Sequence, residues 1–350
     1  MAESRHQRDR RWLVGLTVIL LCVIVFAIGF GAVDLSPWQV LCALARGVGL
    51  NCADVSDQQV AIVCMIRLPR VLLAVIVGMA LATSGVALQG VVRNPLADPA
   101  LIGVSGGAAL GAVLAIVLGG TSLTDSALGP WVIPMMSFCG ALLAMRLALR
   151  VARVDGVTTG ATLLLAGVGL AALAGAGIGI LLYLADDAAL RSITFWTLGS
   201  LGSATWPLVL VACVPVLFAV VALPTLAMQL DQLALGEAEA RHVGVDVDQL
   251  LRRVTLLTAL AVGAAVATSG AIGFVGLVVP YLARAVFGPR HRVLLPACII
   301  GGPLLVVAAD LVARTVVSPA EMPIGILTSL AGAPVLLLLV RRGTAGTVLA

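Results

Sequence analysis

Apolar stretches recur along almost the whole chain, near residues 12–33, 67–92, 99–119, 127–149, 160–185, 205–228, 254–288, 293–317 and 322–340. A helix needs about 20 apolar residues to cross ~30 Å of hydrocarbon, and these stretches supply them. The stretch 254–288 is too long for one crossing and carries Gly270, Gly273, Gly276 and Pro280 in its middle, so it predicts two legs joined by a bend. The pattern therefore predicts an all-α polytopic membrane protein of about ten transmembrane helices, with residues 1–350 forming a single transmembrane unit.

The stretch Leu72 to Gly103 recurs 185 positions later. Leu72, Ala74, Val77, Gly78, Ala80, Ala82, Thr83, Ser84, Gly85, Pro95 and Gly103 fall on Leu257, Ala259, Val262, Gly263, Ala265, Ala267, Thr268, Ser269, Gly270, Pro280 and Gly288, and the run Ala-Thr-Ser-Gly is shared whole. Small residues are common in any membrane helix, so coincidence is the bland alternative to duplication. The repeat units expected from this offset cover about 67–185 and 252–341.

Charge gives the direction of each copy. The N-terminal Arg5, Arg8, Arg10 and Arg11 and the C-terminal Arg341 and Arg342 should stay on the cytoplasmic side, which requires an even number of crossings. Threading from there puts Arg93, Arg150, Arg153, Arg241, Arg252, Arg253, Arg290 and Arg292 inside, and Asp34, Asp54, Asp57, Asp125, Asp186, Asp187 and Glu321 outside. The first copy then starts outside at Arg67, whereas the second starts inside at Arg252 and Arg253. The repeat is inverted, an arrangement that suits alternating access, with broken stretches near the path. Those stretches are Arg93-Asn-Pro-Leu-Ala-Asp-Pro99, with Asp98 near the start of the next helix, and Gly276-Leu-Val-Val-Pro280. A purely structural turn is an equal reading of the first.

Composition agrees and excludes other classes. Hydrophobic residues make up 61% and charged residues 11%, and the mean hydropathy is +1.14. All 21 basic residues are arginine, so a phosphate-binding Gly-Lys-Ser/Thr loop is absent. The formal charge of +4 is sorted by membrane side rather than gathered on one surface, which argues against nucleic acid as a partner. Seven cysteines are scattered without a Cys-x-x-Cys pair. Cys42 and Cys52 flank a polar segment placed outside, where a disulfide is open to them if the compartment oxidises. No histidine lies within a predicted span, and aromatic residues are few, which suggests an inert passage rather than a selective pocket.

Arg67, Arg70 and Arg314 break the positive-inside pattern. They read either as solvated helix ends holding lipid phosphate or as docking groups for carboxylates of a soluble partner. Asp310, four residues before Arg314, is spaced to pair with it along one helical face. The polar interruption 230–251 is expected on the cytoplasmic side, with a short helix from Glu237 to Val243 closed by Gly244. It reads as a connector or as a helix entering a groove on another subunit.

The motifs Arg67-Leu-Pro-Arg70, Ser84-Gly85 through Leu88-Gln89-Gly90, Arg93-Asn-Pro-Leu-Ala-Asp-Pro99, Gly103-Val-Ser-Gly-Gly107, Gly273-Phe-Val-Gly-Leu-Val-Val-Pro280 and Met322-Pro-Ile-Gly325 resemble those of FecCD-type permeases, subunits of ABC importers for iron-siderophores, haem and vitamin B12. The likeness spans most of residues 12–342, and it departs at Tyr281, where the family usually has histidine. The resemblance implies a non-enzymatic permease in the bacterial inner membrane, with both termini cytoplasmic. It implies as partners a second copy of the chain, two cytoplasmic ATPase subunits that use ATP and Mg, and a periplasmic substrate-binding protein, with no cofactor on the chain itself. Carried onto matching positions, Arg67, Arg70 and Arg314 would grip the binding protein. Glu237, Glu239, Arg241 and Gly244 would belong to the coupling segment that meets the ATPase, and Thr158 and Thr159 would narrow the path at its cytoplasmic end. An ion-coupled secondary transporter is the rival that the inverted repeat alone allows, but such machines usually carry an intramembrane carboxylate or histidine for the coupling ion, and here the acids sit in predicted loops or near span ends, with Asp310 beside Arg314.

Overall fold

The computed structural model describes residues 2–31, 33–52, 54–124, 129–317 and 320–341, so Asp125 and Arg342, both given a membrane side above, lie outside the described residues. The chain runs α1 (Ala2–Gly29), α2 (Pro37–Gly47), α3 (Asp57–Ala61), a π-helical turn (Ile62–Arg67), α4 (Leu68–Val92), a 3-10 turn (Pro99–Ile102), α5 (Val104–Thr124) and α6 (Gly129–Val151). A two-stranded hairpin, β1 (Arg153–Val154) and β2 (Val157–Thr158), leads into α7 (Gly160–Leu184), α8 (Asp187–Leu198), α9 (Trp206–Thr225), α10 (Ala227–Leu233) and α11 (Glu237–His242). The chain closes with α12 (Val247–Ser269), α13 (Val275–Phe287), α14 (His291–Ala313) and α15 (Ile324–Arg341). Among the described residues, seven helices are long and apolar enough to cross a membrane, the longest continuous one being Asp57–Val92. Shorter apolar helices lie at Val104–Gly119, Val275–Phe287 and Ile324–Leu337.

Helices dominate because hydrocarbon offers no partner to a free N–H or C=O, so each segment must satisfy its backbone internally. The centre of the bundle is α4. It is buried along nearly its whole length and packs against α14, α12, α9 and α13. Small side chains let it be surrounded: Ala74, Gly78, Ala82 and Gly85 are buried along α4, and a Cβ on Gly85 would collide with the carbonyl of Gly276.

The two ends of the bundle differ. At one end α4 begins, and Arg67 and Arg70 reach the end of α1, the end of α14 and Glu321. The end of α12 lies on this side too, since Ser200 N–H donates to Ser269 O and Ile324 N–H to Gly199 O. At the other end Arg93, just past α4, lies 3.4 Å from Glu237 of α11, and α11 packs against the start of α12. Helices α4 and α12, the first long helices of the two copies, therefore run antiparallel. We call these the arginine end and the α11 end.

Three expectations need correction. The segment Gly276 to Pro280 is helical within α13, and the break in the second copy lies earlier, at Gly270 (φ 69°) to Phe274 (φ 66°). Thus the shared Ala-Thr-Ser-Gly run has two outcomes, with α4 continuing through Gly85 to Val92 and α12 stopping at Ser269. Helices α2, α8 and α10, of 11, 12 and 7 residues, are additional short elements that the expected set of about ten helices leaves out. The third correction concerns the arginines and is given below.

Candidate functional site

Arg67, Arg70 and Arg314 come together at the arginine end, but not as free outward cations. Arg67 is 6% exposed and donates to Ile28 O (2.8 Å), Gly29 O (2.8 Å) and Val33 O (2.5 Å), so it holds the end of α1 and its following turn onto α4. Arg314 donates to Ala27 O and sits 3.8 Å from Asp310. Arg70 binds Asp310 through Nε, 3.0 and 3.1 Å from the two carboxylate oxygens, and Glu321 through Nη1 at 2.7 Å. The expected Asp310–Arg314 pair is present, yet the exposure expected of the three arginines is not. A guanidinium at the edge of hydrocarbon is stabilised by acceptors for its donors, and for Arg67 and Arg70 the chain supplies them itself, whereas Arg314 Nε has no hydrogen-bond partner among the described residues.

The broken stretch after α4 and the start of α13 meet on one side chain. Gln89, 3% exposed near the end of α4, donates through Nε2 to Ala97 O (3.1 Å) and to Gly276 O (3.0 Å). It thereby ties the loop after α4 to the first turn of α13. Asp98 accepts from Ala100 N–H (2.8 Å) and caps the 3-10 turn, as its position predicts. In the sequence Gln89 stands out only as a polar amide inside an apolar helix and as part of the Leu88-Gln89-Gly90 motif, neither of which announces this bridge.

At the α11 end, α11 spans Glu237–His242 and is closed by Gly244 at φ 88°, with Val245 N–H donating to Ala240 O and Gly244 N–H to Arg241 O. This is a Schellman closure, and it needs a residue that adopts positive φ without strain. Ala240 is buried, whereas Glu239, Arg241, His242 and Val243 are exposed and Glu237 pairs with Arg93. Thr158 N–H donates to Asp248 at 3.3 Å, and Thr159 caps α7 reciprocally with Thr162. Both threonines thus stand at the α11 end, at the entry to α7. Behind α11, Asp231 of α10 accepts from His291 N–H (2.6 Å) and lies 2.9 Å from His291 Nδ1. Burial pushes the Asp231 carboxyl up, but the hydrogen bonds from His291 outweigh it and hold it below its ordinary value. His291 opens α14, and its backbone N–H and Nδ1 are both engaged by Asp231.

A cavity of about 590 Å³ opens between α8, the Gly270–Phe274 break and α15, lined by Thr197, Ala271, Gly273, Ile326, Ser329 and Ala333. Its walls are mostly apolar, with Leu198, Leu330 and Leu337 beside the small residues. Helix α7 leaves Leu165, Leu173 and Tyr183 exposed along its length. Cys42 and Cys52, for which a disulfide was open, are bonded and close the segment after α2.

Comparison with known proteins agrees with this geometry. The profile described as the FecCD transport family matches residues 19–342. The hemin transport system permease protein HmuU of Yersinia pestis is 44% identical over 345 residues, covering 95% of this chain and 96% of that protein. The vitamin B12 import system permease protein BtuC of Klebsiella pneumoniae is 36% identical over 344 residues, covering 98% and 97%. A solved structure described as the inward-facing conformation of a metal-chelate type ABC transporter superposes with a TM-score of 0.82 at 35% identity, over 95% of this chain and 99% of that one. With its family match running nearly from end to end and its relatives being transport subunits rather than enzymes, the chain belongs to the FecCD transport family as a permease subunit of an ABC transporter.

Proposed function

We propose that this permease moves haem, or a related iron chelate, from the periplasm to the cytoplasm in an ATP-driven importer of the bacterial inner membrane. The observation that carries the cargo is the 44% identity to a hemin permease over nearly the whole of both chains, against 36% for the vitamin B12 permease. In this reading ten helices cross the membrane, in repeat units of about 67–185 and 252–341, and the α11 end with both termini is cytoplasmic. A second copy of the chain covers the exposed face of α7, and the path follows the two-fold axis between copies.

Helix α11 is the part offered to the ATPase, with Glu239 and Arg241 exposed on it, Glu237 braced by Arg93 and Gly244 setting its end. Thr158 and Thr159 flank the path beside it. At the other end the binding protein meets the rim of the arginine cluster, where Arg70 faces Glu321, while Arg67 and Arg314 supply positive charge from behind. ATP and Mg act on the partner subunits, and no bond in the cargo changes. Each partner biases the permease only as far as it prefers one of its conformations, so both ends must sense the same rearrangement.

The cargo is tested in cells that lack their own haem and cobalamin import and carry this chain with its ATPase and binding protein. Accumulation of haemin but not cyanocobalamin is expected. Accumulation of cyanocobalamin alone would assign the other cargo.

A further inference from the structure

We propose that Glu321 is an internal stand-in for the partner's carboxylate, occupying Arg70 until a docking acidic side chain displaces it. The inference rests on the docking reading above and adds the residue that sets its affinity. Arg70 carries two carboxylates of unequal standing. Asp310 is 3% exposed, packed in α14 and bound by both Nε and Nη2, whereas Glu321 is 47% exposed and holds a single nitrogen, Nη1, at 2.7 Å.

An enclosed, bidentate partner is hard to remove, because its loss strands a buried charge. An exposed monodentate one contributes little and exchanges readily with another carboxylate. Arg70 is itself only 11% exposed, and of its two carboxylate partners Glu321 is the one that solvent reaches. A carboxylate arriving from solution therefore meets Glu321 first, and the geometry it needs on Nη1 is the one Glu321 already holds.

Glu321 also stands just before α15. Its backbone neighbours are anchored, with Met322 N–H donating to Ala313 O at 3.1 Å and Ile324 N–H to Gly199 O at 3.0 Å. The exchange is thus local to one side chain and leaves the bundle in place. By this argument the pair weakens the partner's binding by the strength of one exposed ion pair.

The test measures binding of the cognate periplasmic binding protein to the assembled transporter in nanodiscs, for wild type, Glu321→Gln and Arg70→Ala. Glu321→Gln should tighten binding about two- to five-fold, the range of an exposed pair. Arg70→Ala should weaken it. Unchanged or weaker binding by Glu321→Gln, with Arg70→Ala still impaired, overturns the stand-in while docking at Arg70 survives. Unchanged binding by Arg70→Ala removes the docking reading and the inference with it. Glu321→Ala repeats the measurement should the glutamine variant fail to assemble, and failure of both to assemble would make Glu321 a structural brace and overturn the proposal.

Discussion

Arg70 reaches from the first turn of α4 to Asp310 in the last turn of α14, 240 positions away in sequence, with its Nε 3.0 and 3.1 Å from the two carboxylate oxygens. The pair joins the central helix to the helix it packs against most extensively, at the end where both face the same side.

Removing Asp310 leaves Arg70 and Arg314 enclosed with too few acceptors. Asp310→Ala should therefore cost about 3–5 kcal/mol, as breaking a buried pair does. Glu321→Ala should cost less than about 1 kcal/mol, the range of exposed pairs. Thermal unfolding of the purified protein in detergent separates the two. Equal losses would contradict the ranking by burial.

Gln89 acts through its amide donors. Gln89→Glu keeps size and shape but offers Ala97 O and Gly276 O no N–H, leaving two buried carbonyls unpaired at about 1–3 kcal/mol each. Uptake and thermal stability should both fall, and Gln89→Leu should behave similarly. A fully active Gln89→Glu protein would show that the bridge between the loop after α4 and the start of α13 is dispensable.

Much of the fold was legible because hydrocarbon leaves few choices. Each long apolar run became a helix, the positive-inside pattern gave directions consistent with antiparallel α4 and α12, and the helix closed by Gly244 formed at its expected place. What escaped were relations between distant side chains. Nothing near Arg70 in sequence announces Glu321, and nothing near Asp231 announces His291, because each pairing depends on how helices dock. The arginines were expected to face outward since a charge count registers side but not partner. The stretch 254–288 does form two legs, but the broken stretch expected at Gly276–Pro280 is helical, Pro280 being accommodated within α13, and the break runs from the positive-φ Gly270 to Phe274.

Gly244 offers a test of the α11 end uncomplicated by crowding, since a Cβ there would meet nothing within 4 Å. Only the backbone, at φ 88°, opposes a side chain. Gly244→Ala should cost about 1–2 kcal/mol locally by disfavouring the left-handed closure. It should also lower the yield of ATPase recovered with the permease. Undiminished recovery would count against α11 as the coupling element.

Asp231 makes the same end sensitive to acid. Its carboxyl is held below the ordinary value of 3.8, so its contribution is fully present above that value and is lost as pH falls through the lowered folded-state value. Asp231→Asn should be less stable than wild type at neutral pH, and the gap should close as acid protonates the wild-type carboxylate. Melting temperatures of both proteins across a pH series check this, and a gap constant down to the acid limit would refute it.

The central claim is the proposed one, that this chain couples ATP hydrolysis by its partners to inward movement of cargo. Haemin uptake into proteoliposomes containing the chain and its ATPase, with binding protein outside and ATP inside, measures it directly. The account predicts accumulation that requires ATP hydrolysis and is indifferent to protonophores and sodium ionophores. Accumulation without ATP that collapses when an ion gradient is dissipated would contradict it.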